Sequence, residues 1–595
     1  MPFVKQILAL LLAFAFMPAK AAICANTYLD MSLEELMDLT VTSMSKRAQN
    51  LQETAAAVSV ITNEDIRRSG ATSIPEALRL VPGLMVGQNN AGIWSVSSRG
   101  RGFNPIFENK LLVLIDGHSV YSPVYSGVFW ETIDVIMEDI DRIEVIRGPG
   151  TSAWGANAVN GIVNIITKSA AKTQGFMASA LYGSRELGTA ALRHGGAFGE
   201  NNTYRIFGKY RHLDEVVNLD GEEIPGALES ATTGFRADLV PDKDSTLTIQ
   251  GDLTQGVNRG ELSYPDLTPP AEVVTKSNIR DILLATVLGR YERDLGGESS
   301  IGLQAYYTRD EHDSPHYEVG IDTLDLDFQH QFKPLKNHFT QWGIGYRSIA
   351  VNTSSDENAV YFATSDRSDN LFSAFVQDEI SFADGRWILT LGSKFERNDQ
   401  TGVEILPSAR LLWHVTETHA LWGAVSRSVR TPSVAEQDVT YHVDVRNIEM
   451  PPNSGNILPL RSSVTGDGDL DAENIIVWEL GHRFSPSSTL FFDTSVYCAK
   501  AENLMTTTYS PQNIYPETTP TYHLQLDSRT ENDESATMHG LELSATWVPL
   551  DWWKLRAWYR AITKTTMRTK ARLWTPLKAC TATSARDTSS FCIHP

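Results

Sequence analysis

The chain has 595 residues and a formal net charge of -21, with 72 acidic against 51 basic side chains. That balance excludes a nucleic-acid binder, since neutralising phosphates takes clustered Lys and Arg. The four cysteines, Cys24, Cys498, Cys580 and Cys592, stand in no metal-ligand spacing, and only Cys580 and Cys592 are placed for a local disulfide in an oxidising compartment.

Residues 1–21 read as a secretory signal. Lys5 supplies the positive start, Ile7 to Phe16 is an apolar core too short to span a bilayer, and Ala19-Lys20-Ala21 is a small-x-small cleavage site. The bulky Ile23 before Cys24 argues against a lipid anchor. Beyond the signal no stretch approaches the roughly 20 apolar residues of a spanning helix. A membrane form of this chain would therefore be a closed barrel. Residues 22–50 form an N-terminal segment, with a short helix over Leu33 to Met37 and a β-prone stretch at Leu39-Thr40-Val41-Thr42-Ser43.

Residues 51–170 read as a small mixed domain. Ser73 and Glu76 stand in capping-box relation at the start of a helix over Ile74 to Leu80, which Pro82-Gly83 ends. Leu111 to Ile115 is an apolar run of strand length, and Asp116-Gly117 turns it into Ser119-Val120-Tyr121 as a hairpin. Ile133, Ile136, Met137 and Ile140 recur at helical spacing, after which Ile143 and Val145 alternate as in a strand. Gly148-Pro149-Gly150 and Gly155 complete neither phosphate-loop pattern, so with Gly117 they are read as turn formers.

Residues 171–565 change to period-two stretches of roughly ten residues between turns rich in Gly, Asp, Asn and Pro, the pattern of transmembrane β-strands. Examples are Thr203 to His212, Ser245 to Leu253, Ser300 to Thr308, Leu371 to Phe382, Trp387 to Phe395 and Leu490 to Tyr497. Along Trp387 to Phe395, Trp387, Leu389, Leu391 and Phe395 share a face suited to lipid, and Thr390, Gly392 and Lys394 one suited to water. Aromatics near strand ends, among them Tyr306-Tyr307, Trp342, Trp413, Trp422 and Trp547, match interfacial girdles. Tight turns alternate with long polar connections at Leu213 to Ser230, Gly256 to Asn278 and Asp438 to Ala472. After Lys564 the alternation is lost, so 566–595 is an anomalous tail, read as a truncation, a frameshift or a divergent end, with the barrel incomplete. About 17 candidate strands precede it, against about 22 in plugged outer-membrane transporters. Asp310, His312 and His316 are the nearest thing to a metal cluster, and no metal, cofactor or catalytic site is expected. No nucleophile arrangement stands out, so the chain is not read as an enzyme.

The run from Lys110 to Lys168, with LLVLIDG at Leu111 to Gly117, IEVIRGPG at Ile143 to Gly150 and WGANAVNGIVNIIT at Trp154 to Thr167, resembles the plug of TonB-dependent outer-membrane receptors. At Ser98 to Phe103 the chain reads SRGRGF, where that family commonly has a single RGF. The resemblance implies an all-β transmembrane barrel with an N-terminal α+β plug in its lumen, in the outer membrane of a Gram-negative bacterium. It implies active import of a scarce nutrient, a ferric siderophore first and cobalamin or a carbohydrate as the alternative, with TonB, the small-molecule ligand and outer-membrane lipid as partners. Leu39, Thr40, Val41, Thr42 and Ser43 are the candidate TonB-binding strand, a mode that needs an extended segment. Arg99, Arg101, Asp116, Arg142, Glu144 and Arg147 are candidates for ionic contacts between plug and wall, Glu144 and Arg147 first. The rival readings are a surface protein that binds without transport and a non-functional truncated product. Ligand-binding residues are not legible.

Overall fold

In the body of the chain, alternate residues meet opposite environments. Along the strand Glu473–Ser487, Glu479 is 3% exposed while Leu480 beside it is 64% exposed. A charge facing in and an apolar side chain facing out is the inverse of a water-soluble sandwich and suits a wall between lipid and a polar lumen. The computed structural model describes residues 40–568 and 590–594 apart from 45, 48, 101–108, 219, 356–357, 451–454 and 551–552. The signal, Cys24, the Leu33 to Met37 helix, Leu39, Arg101 and Cys580 lie outside the described residues, as does the side chain of Cys592.

In the body of the chain the described strands build one 21-stranded sheet. Seventeen of them, from Gly175–Leu181 to Trp553–Arg568, make the wall, antiparallel between neighbours. Val360–Phe362, Val439–Glu449 and Ile457–Thr465 belong to the longer connections at one rim, called outer here, and Ser590–His594 adds to an edge. The expected loop from Gly256 to Asn278 is mostly strand. Asn258 pairs with Arg280 and the ladder continues to Asp266 opposite Glu272, helped by a Ser263–Thr275 hydroxyl contact of 2.8 Å. Strands expected at about ten residues reach 28 in Leu490–Glu517 and His523–Leu550, because cross-strand pairing carries on beyond the apolar band. The tail is also corrected in part: the last wall strand continues to Arg568, and Ser590–His594 pairs antiparallel with Arg556 to Arg560. Among the described residues no ladder joins Gly175–Leu181 to the opposite edge of the sheet.

Two expected girdle aromatics face the lumen instead. Tyr306 and Trp422 are buried, and it is Tyr307 and Leu421 that point outward, because strand parity assigns each neighbour the opposite face. Trp422 packs on Ala55 and Ala57 of the N-terminal domain. Trp387 and Trp413 do form an outward stack, with centroids 4.8 Å apart.

Inside the wall, β1 (Thr40–Val41) pairs with β2 (Gln49–Asn50) and β3 (Ala57–Thr62) follows. Helix α1 (Asn63–Ser69) starts at a reciprocal Thr62–Asp65 capping box and stops at Gly70, whose φ is 70°. In α2 (Ile74–Leu78) the Ser73 side chain caps Glu76 N, but the Glu76 carboxylate accepts from Thr72 N rather than from the cap residue. The hairpin β4 (Leu84–Gln88) and β5 (Trp94–Ser98) follows, then β6 (Leu111–Ile115), β7 (His118–Ser119), β8 (Ile140–Arg147), the one-turn α3 (Thr151–Trp154) and β9 (Gly161–Thr167). The sheet order is β3-β8-β9-β6-β7, with β6 and β9 parallel. Asp116 and Gly117, with φ of 47° and 81°, make the expected two-residue hairpin turn. The helix expected from Ile133 to Ile140 is absent except for one 3-10 turn, Met137–Asp139. The wall explains this: Lys209 takes Asp134 Oδ1 and the carbonyl of Val135, holding that stretch extended while Ile133 and Ile136 stay buried.

Candidate functional site

The stretch read as the TonB-binding strand lies against β8 and β9. The Glu144 carboxylate accepts from the backbone N–H groups of Thr42 and Ser43, each at 2.8 Å, and from the Ser43 hydroxyl. Trp154 Nε1 donates to the Ser43 carbonyl and Asn164 Nδ2 to Ser43 Oγ at 3.1 Å. Farther along, Lys46 Nζ reaches Asp327 of the wall at 2.9 Å, and Arg47 and Gln49 reach Glu379. The segment is thus held at two places, by the inner domain at Thr42 and Ser43 and by the wall from Lys46 to Gln49.

This corrects the expectation for Glu144 and Arg142. Both sit on β8, but Glu144 is fully buried under the N-terminal segment and its ion pair is with Arg142, Nε to Oε1 at 2.8 Å. Arg142 also pairs with Asp141 of the same strand. The face of β8 that carries Glu144 is covered by residues 42 and 43, which leaves the wall out of its reach.

Arg147, Arg99 and Asp116 do meet the wall. Arg147 Nη1 lies 3.1 Å from Glu542 Oε2 and Arg147 Nη2 3.7 Å from Asp493. Arg99 reaches Glu479 at 2.6 Å and Glu542 at 3.3 Å, with its guanidinium over the Tyr497 ring. All five of these charged side chains are nearly fully buried, so each guanidinium depends on its carboxylate partners. Gly148, at φ 108°, lets the chain pass here: a Cβ would lie 2.5 Å from Glu479 Oε1. Gly155, at φ 92°, is crossed by the Glu396 carboxylate, which accepts from Ala156 N at 3.0 Å. Gly150 precedes α3 and packs on Ile162. Asp116 accepts from Thr167 N at 2.8 Å and from Gln250 of the wall at 3.0 Å, with Arg236 at 3.8 Å. Burial would raise its pKa, but Arg236 and these donors hold it below the usual carboxylate range.

Sequence reading missed the wall's half of these contacts. Arg483 donates to the carbonyls of Leu51 and Thr54, at 2.9 and 2.7 Å, and Arg410 to those of Ala55 and Pro149. Lys554 and Arg556 hold Asp65 at 3.0 and 2.9 Å. Burial opposes the Asp65 charge, yet the two cations keep its carboxyl far below the usual range. A signal existed: Arg410, Lys554 and Arg556 each sit between apolar neighbours in a period-two strand, as Glu479 does between Trp478 and Leu480, whereas Arg483 lies between His482 and Phe484.

His118, buried in the Asp116-Gly117 hairpin, has its pKa lowered to about 4 by desolvation, against an ordinary value near 6.5. The unfolded chain takes up a proton that the buried ring refuses, so the inner domain should lose stability as pH falls from about 6.5 toward about 4, by up to roughly 3 kcal/mol. Calorimetry across that interval should show a transition that His118→Gln flattens. Equal slopes for the two proteins would refute the assignment.

Between the inner domain and the wall lies a cavity of about 420 Å³. Thr42 and Lys46 border it at one end and Asn398, Asp399 and Gln400 of an outer turn at the other. Asp310, His312 and His316 assemble no site, and among the described residues no group of three or more His, Cys, Asp or Glu could hold a metal ion.

A wall with lumen-facing charges, filled by a separately folded N-terminal domain clamped through ion pairs, is a plugged β-barrel. The chain belongs to the TonB-dependent receptors: residues 50–162 match the family described as "TonB-dependent Receptor Plug Domain" and residues 181–575 that described as "TonB dependent receptor-like, beta-barrel". It is similar to the vitamin B12 transporter BtuB of Vibrio cholerae, 29% identical over 36% of this chain and 33% of that one, so the match spans about a third of that relative's length. It is 25% identical to the ferric enterobactin receptor of Pseudomonas aeruginosa over 77% of this chain and 68% of that receptor. The solved siderophore receptor PirA of Pseudomonas aeruginosa superposes with a TM-score of 0.63 at 18% identity, covering 86% of this chain and 88% of that one.

Proposed function

We propose that this protein imports a ferric siderophore across the outer membrane, powered through TonB, with residues 39–43 as the strand that TonB takes. The observation that carries the siderophore reading is extent. Likeness to the ferric enterobactin receptor runs through 77% of this chain, while likeness to the B12 transporter stops at 36%. A TonB-binding segment must be extended and releasable. Thr40 and Val41 are extended, and Thr42 and Ser43 beside them are held by a handful of hydrogen bonds, to Glu144, Trp154 and Asn164. Outer connections bind the chelate, the segment becomes available on the inner face, and pulling on it remodels the plug. No covalent chemistry is involved.

Deleting Leu39 to Ser43 tests this. Cells carrying the deletion should retain surface binding of labelled ferric siderophore and lose accumulation to the level of cells without TonB. Accumulation equal to that of the intact protein would reject the reading, and uptake of labelled cobalamin alone would favour the alternative ligand.

A further inference from the structure

We propose that the wall carries, on its lipid face at the inner rim, a binding site for the phosphate of an anionic phospholipid, built from His419, His482 and Thr494. The proposal goes beyond the importer reading and is independent of it, since it requires only that the wall sit in a membrane.

His194, His330, His338, His419 and His482 all lie at or a few residues from the tight turns of the rim opposite the long connections. Strand parity turns each of them outward. Arg193, Phe339, Ala420 and Arg483 beside them reach the plug or the N-terminal segment, and His330 stands in register with outward Trp342. The rings differ in what they have left to offer. Both nitrogens of His330 are taken, by Ser299 Oγ at 3.0 Å and Trp342 Nε1 at 3.2 Å. His338 Nδ1 lies 2.7 Å from Asp378, whose charge repels an anion. His194 stands singly against the Tyr204 ring.

His419 and His482 form a pair. His419 Nδ1 is 3.0 Å from His482 Nε2, the rings are 6° from parallel, and Phe484 stacks on His419 with centroids 4.2 Å apart. One proton bridges the two nitrogens, so in the neutral pair the outer ones, His419 Nε2 and His482 Nδ1, are one donor and one acceptor. Uptake of one further proton makes both of them donors and gives the pair a positive charge. Neither outer nitrogen has a protein partner among the described residues, and both rings are half-buried and within reach from outside. Thr494 stands in register with His482 on the next strand, between outward Phe492 and Val496, and adds a hydroxyl. Two imidazole N–H groups, a hydroxyl and one positive charge complement a phosphate diester that has no cation of its own, as in phosphatidylglycerol.

Depth selects the lipid as the source of that phosphate. Trp413 pairs with Leu421 and Leu421 with His482, so the pair shares a cross-strand row with the Trp387 and Trp413 stack. Tryptophan marks headgroup level. Toward the middle of the wall the same face continues through exposed Leu480 and Val496, an apolar track for acyl chains. The titratable and charged groups around the pair are Glu417 of the adjoining turn, His414 of the preceding strand, and Asp493 and Arg483, which face the lumen through the sheet. None of them shares the lipid-facing side with the two rings. Because the phosphate favours the form with two donors, retention rises as pH falls.

The test is lipid retention by the full chain in detergent, read by native mass spectrometry on the fraction that shows heat-modifiable migration. Phosphatidylglycerol and phosphatidylcholine with the same acyl chains are offered in equal amounts. The intact protein should hold phosphatidylglycerol in preference, more so at about pH 6 than at about pH 8. His419→Gln combined with His482→Gln should lower that preference at least about tenfold, the loss of one charge-assisted hydrogen bond. His330→Gln, at the same rim but with no nitrogen to offer, should leave it unchanged. No preference in the intact protein, or the same preference in the double variant, would overturn the site. A loss in His330→Gln as large as in the double variant would assign the effect to the ring belt as a whole and overturn it too. Displacement of the lipid by an equal concentration of inorganic phosphate would show that the acyl chains contribute nothing and overturn the lipid as the occupant.

Discussion

Replacing Glu542 with alanine is expected to loosen the plug by about 3–5 kcal/mol, the usual cost of removing one partner from a buried ion pair. Glu542 serves two guanidiniums, Arg99 and Arg147, and also accepts from Ser495 Oγ at 3.0 Å. Its loss leaves Arg99 with Glu479 alone and Arg147 with an Asp493 contact of 3.7 Å. Glu542→Gln keeps the shape and the acceptor but not the charge, so it should show a smaller version of the same defect. The readout is entry of an antibiotic too large for general porins, together with faster deuterium uptake in β8. Unchanged sensitivity and exchange in the alanine variant would show that the Arg99 and Arg147 cluster does not seat the plug.

The second large effect is expected from Glu144→Ala. One carboxylate anchors two backbone N–H groups and a hydroxyl of the N-terminal segment. Hydrogen bonds to a charged acceptor are worth about 1.5–3 kcal/mol each, so undocking of residues 42–43 should become at least tenfold more frequent. Thr42→Cys, combined with Glu144→Ala, should react faster with a thiol reagent from the inner face and cross-link more to a TonB fragment without ligand. The wall contacts of Lys46 and Arg47 remain, so the release is local and the plug stays seated. If Thr42→Cys reacts at the same rate with and without Glu144, the segment is held by something other than this carboxylate.

Much of the fold could be read directly. The Asp116-Gly117 hairpin, the Ser73 cap and the inward placement of Lys394 beside outward Leu391 and Phe395 all depend on residues within a few positions of one another. The failures have one character. The stretch Ile133 to Ile140 has helical spacing but is drawn out by Lys209, which is 75 residues from Asp134. Tyr306 and Trp422 have the composition of girdle residues but the wrong strand parity. Glu144 is expected at the wall, yet its partners are Arg142 on its own strand and the N-terminal segment about 100 residues away, |i−j| = 102 for Thr42.

From the sequence alone come the two-part organisation, the membrane-facing alternation and the plug resemblance, because each is written in local periodicity, turn chemistry or short motifs. The tertiary structure decided which charges meet. Arg99 and Glu542 are 443 residues apart, and only the register of the wall against the plug brings them within 3.3 Å. That register is the sum of every strand pairing between them, a non-local quantity that no window of sequence carries. The same holds for the cavity between plug and wall, which is a space between two separately folded parts.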